Sequence, residues 1–359
     1  MIQEEYTTEA TLSVPESGTV AWESPSNIAL VKYWGKKPVQ LPANASISFT
    51  LKNCYTATKL SFSKADKRSV KVFVGGQEQP SFLKKIETFF ERIENYCPYV
   101  NHYAFKIETE NTFPHSSGIA SSASGFSALA LCVLSIERKA AGLSDADFYK
   151  KASFLSRLGS GSACRSVYGP MGVWGAHADY AESSNDFAVP YDDIHDVFKT
   201  YQDTILLVDK GEKKVSSTLG HDLMNDHPFA ANRFEQARNH MLELQKILKS
   251  GNILDFNRLV EKEALTLHAM MMTSDPYFML FKPNTLNIIH KVWEKRASDN
   301  IPFTITLDAG ANVHLLYPAE YKQLALDFIK DELIAYCQNE QYICDEVGNG
   351  PLLKMEHYA

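Results

Sequence analysis

The sequence predicts an α+β fold. Strand-like segments crowd into about the first 80 residues, long helical patterns fill the second half, and the two mix without the regular βαβ alternation of a doubly wound sheet. A length of 359 residues with 45% hydrophobic content allows a sizeable core without metal or disulfide staples.

Residues 19–23 read as a strand that runs into a Ser-Pro-Ser-Asn turn. Residues 46–51 alternate, and 57–62 and 69–74 are rich in β-formers, the last ending at Gly75-Gly76. Phe82, Ile86, Phe89, Phe90 and Ile93 recur at helical spacing and predict a helix over 81–96. Residues 103–108 alternate again and stop at Asn111-Thr-Phe-Pro. A Ser/Gly/Ala-rich segment then opens a strongly apolar helix over 120–140. Another helix begins near Ser144, with Asp145 and Asp147 in its first turn, where carboxylates suit the helix dipole. After a strand at 171–176 comes an irregular acidic stretch, 179–196, which is taken as the division between an N-terminal domain (1–190) and a C-terminal domain (191–359). Beyond it lie a strand at 204–208, helices near 228–249, 252–272 and 283–298, strands at 303–307 and 313–316, a helix near 320–337 and a last strand at 342–346.

Composition narrows the function classes. With 36 basic and 43 acidic side chains the formal charge is −7, which argues against the basic face that nucleic-acid coating needs. It does not exclude an anionic substrate, because a global average hides local clusters. The six cysteines (Cys54, Cys97, Cys132, Cys164, Cys337 and Cys344) include no Cys-x-x-Cys pair, so reduced thiols are expected, and no zinc-ligand spacing occurs. The acidic, polar Met1-Ile-Gln-Glu-Glu-Tyr does not resemble a secretory leader. The apolar stretch around 125–136 is interrupted by Ser127 and Cys132 and is too short for a bilayer. A soluble, cytoplasmic protein without nucleic-acid or membrane partners is expected.

Four segments carry candidate chemistry. In Pro114-His-Ser-Ser-Gly-Ile-Ala-Ser-Ser-Ala-Ser-Gly-Phe, Gly118 and its small neighbours let backbone approach a ligand. Ser121 and Ser122 sit at a helix start, where N–H groups and the dipole favour anions and hydroxyls can meet phosphate or Mg²⁺. A tightly packed helix start would look the same, and no Walker Gly-Lys-Ser/Thr follows. In Pro25-Ser-Asn-Ile-Ala-Leu-Val-Lys-Tyr-Trp-Gly-Lys-Lys, a helical turn would bring Lys32 and Lys36 to one face, either partly buried or simply solvated. In Arg157-Leu-Gly-Ser-Gly-Ser-Ala-Cys-Arg-Ser, Arg165 beside a donor-rich turn suits a carboxylate or phosphate; a flexible connection with an exposed Arg is the alternative. In Thr306-Leu-Asp-Ala-Gly-Ala-Asn-Val, Asp308 is either a turn-former or a positioned carboxylate base.

Together these segments carry a resemblance. Asn27-Ile-Ala-Leu-Val-Lys-Tyr-Trp-Gly-Lys, Gly118-Ile-Ala-Ser-Ser-Ala-Ser-Gly, Gly159-Ser-Gly-Ser-Ala-Cys-Arg-Ser and Asp308-Ala-Gly-x-Asn occur in the order seen in mevalonate diphosphate decarboxylases. That family belongs to the superfamily of galactokinase, homoserine kinase, mevalonate kinase and phosphomevalonate kinase. Leu41-Pro-Ala-Asn-Ala-Ser-Ile-Ser, Lys213-Lys-Val-Ser-Ser-Thr and Leu267-His-Ala also look like family segments, so the resemblance runs from about residue 20 to 318. It implies two lobes with the active site in the cleft between them, an ATP-binding N-terminal lobe and a C-terminal lobe carrying the catalytic Asp. The implied reaction is ATP- and Mg²⁺-dependent decarboxylation of mevalonate 5-diphosphate to isopentenyl diphosphate by way of 3-phosphorylation, in the mevalonate pathway of isoprenoid biosynthesis. The same chemistry on mevalonate 5-phosphate, a plain 3-kinase and a non-catalytic nucleotide-binding relative are the rival readings.

The resemblance also implies roles. Asp308, Arg165 and Lys32 match catalytic positions. Asn27, Tyr33, Lys36, Ser160, Ser162 and Arg165 match substrate-binding positions, with Arg165 on the C1 carboxylate and Tyr33 and Lys36 near the diphosphate. Ser116, Ser117, Gly118, Ala120, Ser121 and Ser122 match the ATP-binding loop, with Ser122 the candidate Mg²⁺ contact. Lys37 joins Lys32, Lys36 and Arg165 in a small cationic pocket. A homodimer is the state implied.

Three departures bear on these roles. Ala311 stands in place of the family's usual Pro and is expected to loosen the turn that carries Asp308. His221 stands where Met is common, and the segment between Lys36 and Leu41 is short. The last two put the choice of monophosphate or diphosphate in doubt. His268 is read as a core histidine or one just behind the site, Trp174 and Phe89-Phe90 as core, Met270 to Met272 as interior or groove-lining, and Lys84-Lys85 as a solvated helix face.

Overall fold

A computed structural model describes residues 3–9, 12–114, 118–211 and 217–359. The first sheet uses β1 (Ser17–Ala29), β4 (Ser46–Lys64), β5 (Ser69–Val74), β6 (Gln77–Glu78) and β7 (Tyr103–Asn111); a small hairpin of β2 (Lys36–Lys37) and β3 (Leu41–Pro42) stands apart. β8 (Met171–Trp174) pairs with the first half of β4, and β9 (Ala188–Pro190) pairs with β8. The second sheet has β10 (Gln202–Leu206), β11 (Thr304–Thr306), β12 (Val313–Tyr317) and β13 (Tyr342–Glu346), in the order β11-β12-β10-β13. A closing strand, β14 (Leu352–Tyr358), returns to the first sheet and pairs antiparallel with β1, giving β14-β1-β4-β7-β5-β6. This is the expected α+β architecture.

Helices α1 (Pro80–Ile93), α2 (Ser121–Ala141) and α3 (Asp145–Gly159) accompany the first sheet. Their core joins Val20, Trp22, Leu60 and Phe105 of the strands to Phe89, Leu131 and Phe154 of the helices. α2 is apolar on nearly every side because it is buried on nearly every side. Ser144 caps α3 as read from the sequence, its hydroxyl accepting the Asp147 N–H at 3.2 Å. In the second half, short α4 (Asp196–Lys199) and α5 (Ser217–Asp222) precede α6 (Ala230–Ser250), α7 (Ile253–Met272), α8 (Pro283–Asp299) and α9 (Lys322–Phe328). Ile288, Ile289 and Val292 of α8 pack on Ile305 and Leu315. A third core, holding Ile28, Ile47 and Phe49 against Ile205, Met241, Leu244 and Val260, joins the two sheets.

Several boundaries differ from expectation, each with a physical cause. The Ser24–Asn27 stretch is strand rather than turn. β1 runs through it with a shift in register between Pro25 and Asn27, where the missing proline N–H falls at an irregularity of the ladder. The two strands read at 46–51 and 57–62 are one. At its middle the N–H groups of Lys52, Asn53 and Cys54 turn to the Asp345 carboxylate at 2.7–2.9 Å, so β4 continues without a break. The helix read over 320–337 is α9 followed by a wide turn at Ile329–Leu333 and a tight one at Ile334–Tyr336. β14 went unread because Leu352, Leu353 and Met355 are exposed beside Lys354 and Glu356, which leaves no buried face to alternate. All six cysteines are free thiols.

Candidate active site

Asp308 sits just past β11, where the strand gives way to a turn. The Gly310 N–H donates back to the Asp308 carbonyl at 2.7 Å, and His268 Nε2 of α7 lies 3.1 Å from the same oxygen, its ring stacked on Phe281. His268 is therefore a buried support behind Asp308, one of the two readings made for it. Ala311 does not leave this turn untethered: Thr285 Oγ1 donates to its carbonyl at 2.7 Å, and Asn312 Oδ1 accepts the Asp209 N–H at 2.9 Å.

Facing Asp308 is Lys32, whose Nζ lies 2.9 Å from Oδ1; the lysine side chain is 2% exposed and the carboxylate 22%. The solvated reading of Lys32 is excluded, and so is the helical turn expected from Lys32 to Lys36. The backbone groups such a turn would pair internally are taken from outside. The Lys32 N–H donates to Glu263 Oε2 at 2.8 Å, the Lys32 carbonyl accepts from Asn44 Nδ2 and Arg233 Nη2, and the Gly35 N–H donates to His221 Nδ1. Lys36 and Lys37 instead enter a strand and point to opposite sides. Lys36 lines the cleft and lies 3.6 Å from Asp222. Lys37 is exposed and off the cleft, so it drops out of the cationic pocket.

Glu263 of α7 is a hub that the sequence reading missed. It is fully buried, accepts both guanidinium nitrogens of Arg233 at 2.9 and 2.6 Å, and is hydrogen-bonded to His240 Nδ1. Burial alone would raise its carboxyl; the Arg233 charge, with hydrogen bonds from His240, Arg233 and the Lys32 N–H, outweighs that and holds it below the ordinary carboxylate value. A signal existed. Arg233, Ala237, His240 and Leu244 share one buried stripe of α6, and two titratable residues on an apolar stripe ask for a buried partner.

Arg165 lies in the short turn Gly161–Val167 that follows α3. It is buried, donates from Nη1 to Ser46 Oγ at 2.8 Å and from Nε to Asn27 Oδ1 at 3.3 Å, and lies over the Trp174 ring. Asn27 in turn donates to the Ser162 carbonyl and Ser166 Oγ. Position 161 must be glycine, since a Cβ there would come within 2.7 Å of Trp174 and 3.0 Å of the Tyr33 hydroxyl. Arg157 of the same motif is structural, donating to the Asp186 and Val39 carbonyls.

The small-residue loop meets this group from the other side. Ala120 adopts the left-handed conformation at the cap of α2, and Ser121 and Ser122 follow in the first turn. Ser122 Oγ lies 3.3 Å from Ser160 Oγ. Gly118 and Gly310 lie close to each other across the site: a Cβ on Gly310 would stand 3.5 Å from the Gly118 Cα, in ordinary contact. Ser116, Ser117 and the 213–216 part of the Lys213 segment lie outside the described residues.

One cleft of about 770 Å³ is lined by Asn27, Lys32, Tyr33, Lys36, Gly118, Ala120, Ser121, Ser122, Ser160, Ser162, Arg165 and Asp308, which among the described residues leaves only Lys37 of the candidates outside it. Its lining also includes Phe82, Lys84, Lys85 and Arg92, so the exposed lysine pair reaches the cleft. An anion fits the α2 terminus with Lys32 opposite. Among the described residues no three His, Cys, Asp or Glu side chains form a metal cage. A hard cation here would draw on the Ser122 hydroxyl and on phosphate oxygens, the mixed shell Mg²⁺ favours.

His221 of α5 also lines the cleft, its ring between Tyr33 and Trp34 at centroid distances of 4.3 and 4.6 Å. Burial, with the Lys36 charge adding to it, pushes its ring down to about 3. The native state then resists a proton that the unfolded chain takes up below about 6.5, so this stabilising effect is full above that pH and is lost as pH falls. Urea unfolding of the protein and a His221→Met variant checks it: between pH 7 and 5.5 the wild type should lose about 1 kcal/mol more than the variant. Parallel losses would show that His221 is protonated alike in both states.

Comparison with known proteins adds to this geometry. Residues 24–185 match the family model of the diphosphomevalonate decarboxylase-like N-terminal domain, and residues 204–354 that of the mevalonate 5-diphosphate decarboxylase C-terminal domain. The chain is 28% identical to the diphosphomevalonate decarboxylase of Eremothecium gossypii, over 85% of this chain and 79% of that one. It is 27% identical to that of Saccharomyces cerevisiae, over 87% and 81%. Its fold superposes on mevalonate diphosphate decarboxylase from Staphylococcus aureus with a TM-score of 0.82 at 28% identity, covering 94% of this chain and 98% of that one. A structure described as MDDEF in complex with MVAPP, AMPPCP and magnesium gives 0.82 at 27% identity, covering 94% and 99%.

Proposed function

The chain belongs to the diphosphomevalonate decarboxylase family, and from that premise we propose that it uses ATP to phosphorylate the 3-hydroxyl of mevalonate 5-diphosphate and then releases phosphate and CO₂, leaving isopentenyl diphosphate. The observation that carries the reading is the Lys32–Asp308 pair set against the α2 terminus in one cleft, with Arg165 buried beside it.

Asp308 accepts the proton of the 3-hydroxyl as that oxygen attacks the terminal phosphoryl group of ATP, assistance worth roughly 10²–10⁴-fold. Lys32 holds the carboxylate in place, and its charge offsets the negative charge of the transferring group. Gly118, Ala120, Ser121 and Ser122 hold the phosphates by backbone N–H and hydroxyl groups, with Ser116 and Ser117 assigned to the same loop. Mg²⁺, held by Ser122 and the phosphates, supplies charge neutralisation when bound. Arg165 grips the C1 carboxylate, steadied by Asn27 and Ser46, with Ser160 and Ser162 from the adjoining turn. Held with its bond to C2 aligned with the departing 3-phosphate, that carboxylate would leave as CO₂ and its bonding electron pair would form the double bond as phosphate departs. Tyr33 and Lys36 hold the 5-phosphate end; burial pushes the Tyr33 phenol well up, so it stays a neutral hydrogen-bond donor.

In this reading the N-terminal lobe (1–190) supplies the loop, Lys32 and Arg165, and the C-terminal lobe (191–359) supplies Asp308, while β14 docks back on the first sheet. A cytoplasmic homodimer without nucleic-acid partners completes the proposal. Among the described residues no helix is long and apolar enough to cross a membrane.

The test is product analysis with ATP and each phosphorylated mevalonate. Equal yields of ADP, phosphate, CO₂ and isopentenyl diphosphate are expected, with the higher kcat/KM for the diphosphate. A higher kcat/KM for the monophosphate would overturn the substrate, and a stable 3-phospho product would leave a kinase. ATP binding without ADP formation would leave a non-catalytic relative.

A further inference from the structure

We propose that His221 positions the 5-phosphate end of the substrate by donating its Nε2 proton to a phosphate oxygen. The inference rests on the functional reading above for the identity of the ligand and on the geometry of the ring for everything else.

The Gly35 N–H donates to His221 Nδ1 at 3.0 Å, so Nδ1 must carry a lone pair, and a neutral ring then has its single proton on Nε2. Nε2 has no hydrogen-bond partner among the described residues, and the ring forms part of the cleft wall beside Tyr33 and Lys36. The ring is also fixed before any ligand arrives. Tyr33 and Trp34 flank it, and a Cβ at the neighbouring Gly220 would come within 2.6 Å of Trp34, so the backbone of α5 lies hard against that indole. A donor held this way loses little freedom on binding.

The charged groups around it divide the work. Lys36 supplies the cation but lies 3.6 Å from Asp222, which dilutes its charge, and Tyr33 adds a second neutral donor. Burial keeps the ring neutral throughout the physiological range, so its donor character does not switch with pH there. Lys36 attracts a phosphate from any angle, whereas a single N–H on a fixed ring selects where its oxygen sits.

The test uses the full chain and two substitutions, with thermal melts confirming that each folds. His221→Met removes the donor and fills the space; His221→Gln keeps an amide N–H at a similar reach. Titration with inorganic pyrophosphate reads the subsite without turnover, and steady-state kinetics with mevalonate 5-diphosphate reads it in the reaction. His221→Met should raise the pyrophosphate Kd and the substrate KM by about tenfold, as expected for a hydrogen bond to a charged group, with kcat and the KM for ATP changed about twofold or less. His221→Gln should recover most of that loss. Unchanged Kd and KM in the Met variant would overturn the proposal, as would a Gln variant as weak as Met, which would make the ring a packing element. If neither mevalonate is turned over while pyrophosphate still binds more weakly to the Met variant, the subsite stands and the assigned reaction falls.

Discussion

Replacing Asp308 with Asn should remove turnover, lowering kcat by about 10²–10⁴-fold, while the Kd for ATP changes little. The amide keeps the shape of the carboxylate, and its oxygen can still accept the Lys32 Nζ that now sits 2.9 Å from Oδ1. It cannot take up the proton of the 3-hydroxyl. Lys32, 2% exposed, then faces a neutral partner, so a modest loss of stability accompanies the kinetic one. Nucleotide titration and ADP release on the same preparation separate the two effects. A variant that fails to fold would make Asp308 a structural residue of its turn, and one that keeps near-normal kcat would remove it from proton transfer.

The second large effect is on stability. Glu263→Ala leaves the Arg233 guanidinium, with no exposed side-chain surface, facing no carboxylate, and such unpaired burial costs about 3–5 kcal/mol. The Lys32 N–H loses its acceptor in the same step, so kcat should fall as well although Glu263 is not among the residues lining the cleft. Urea unfolding measures the first loss and ADP release the second. The double variant Arg233→Leu with Glu263→Met should recover much of the stability, because a well-packed apolar pair can replace a buried ion pair, but not the activity. Stability losses that simply add would mean the two side chains do not act as a pair.

Local features of the fold were legible in the sequence wherever the cause was local. Ser144 and its two aspartates mark a helix start on their own, and the run of β-formers at 69–74, stopped by Gly75-Gly76, marks β5 to the residue. Failures came where distant groups took over the backbone. Lys32 to Lys36 have helical spacing, yet Asn44, Arg233, Glu263 and His221 claim the N–H and carbonyl groups a helix would need. Residues 52–54 look like a break until Asp345 supplies their acceptor. The site divides the same way. The resemblance named its residues one by one, and the geometry puts Lys32 and Asp308, 276 positions apart, in contact. Glu263 stayed hidden because a Glu in the Glu-Lys-Glu run of an amphipathic helix looks like a solvated one until its partners are in view.

The pairing of β14 with β1 has a consequence for how the protein is made. β1 is synthesised early, and its other neighbour β4, with β7 beyond it, follows within the same half of the chain. The strand that covers its outer edge leaves the ribosome only after the whole second sheet. Throughout that interval the nascent N-terminal half carries an open row of N–H and carbonyl groups along residues 18–23, a template for pairing with a neighbouring chain. The exposed Lys354 and Glu356 on β14 later guard the finished sheet, but nothing on that strand protects the half-made one. Closure of the edge therefore waits on the strands of the second sheet, and a growing polysome is where this fold is most open to misassembly.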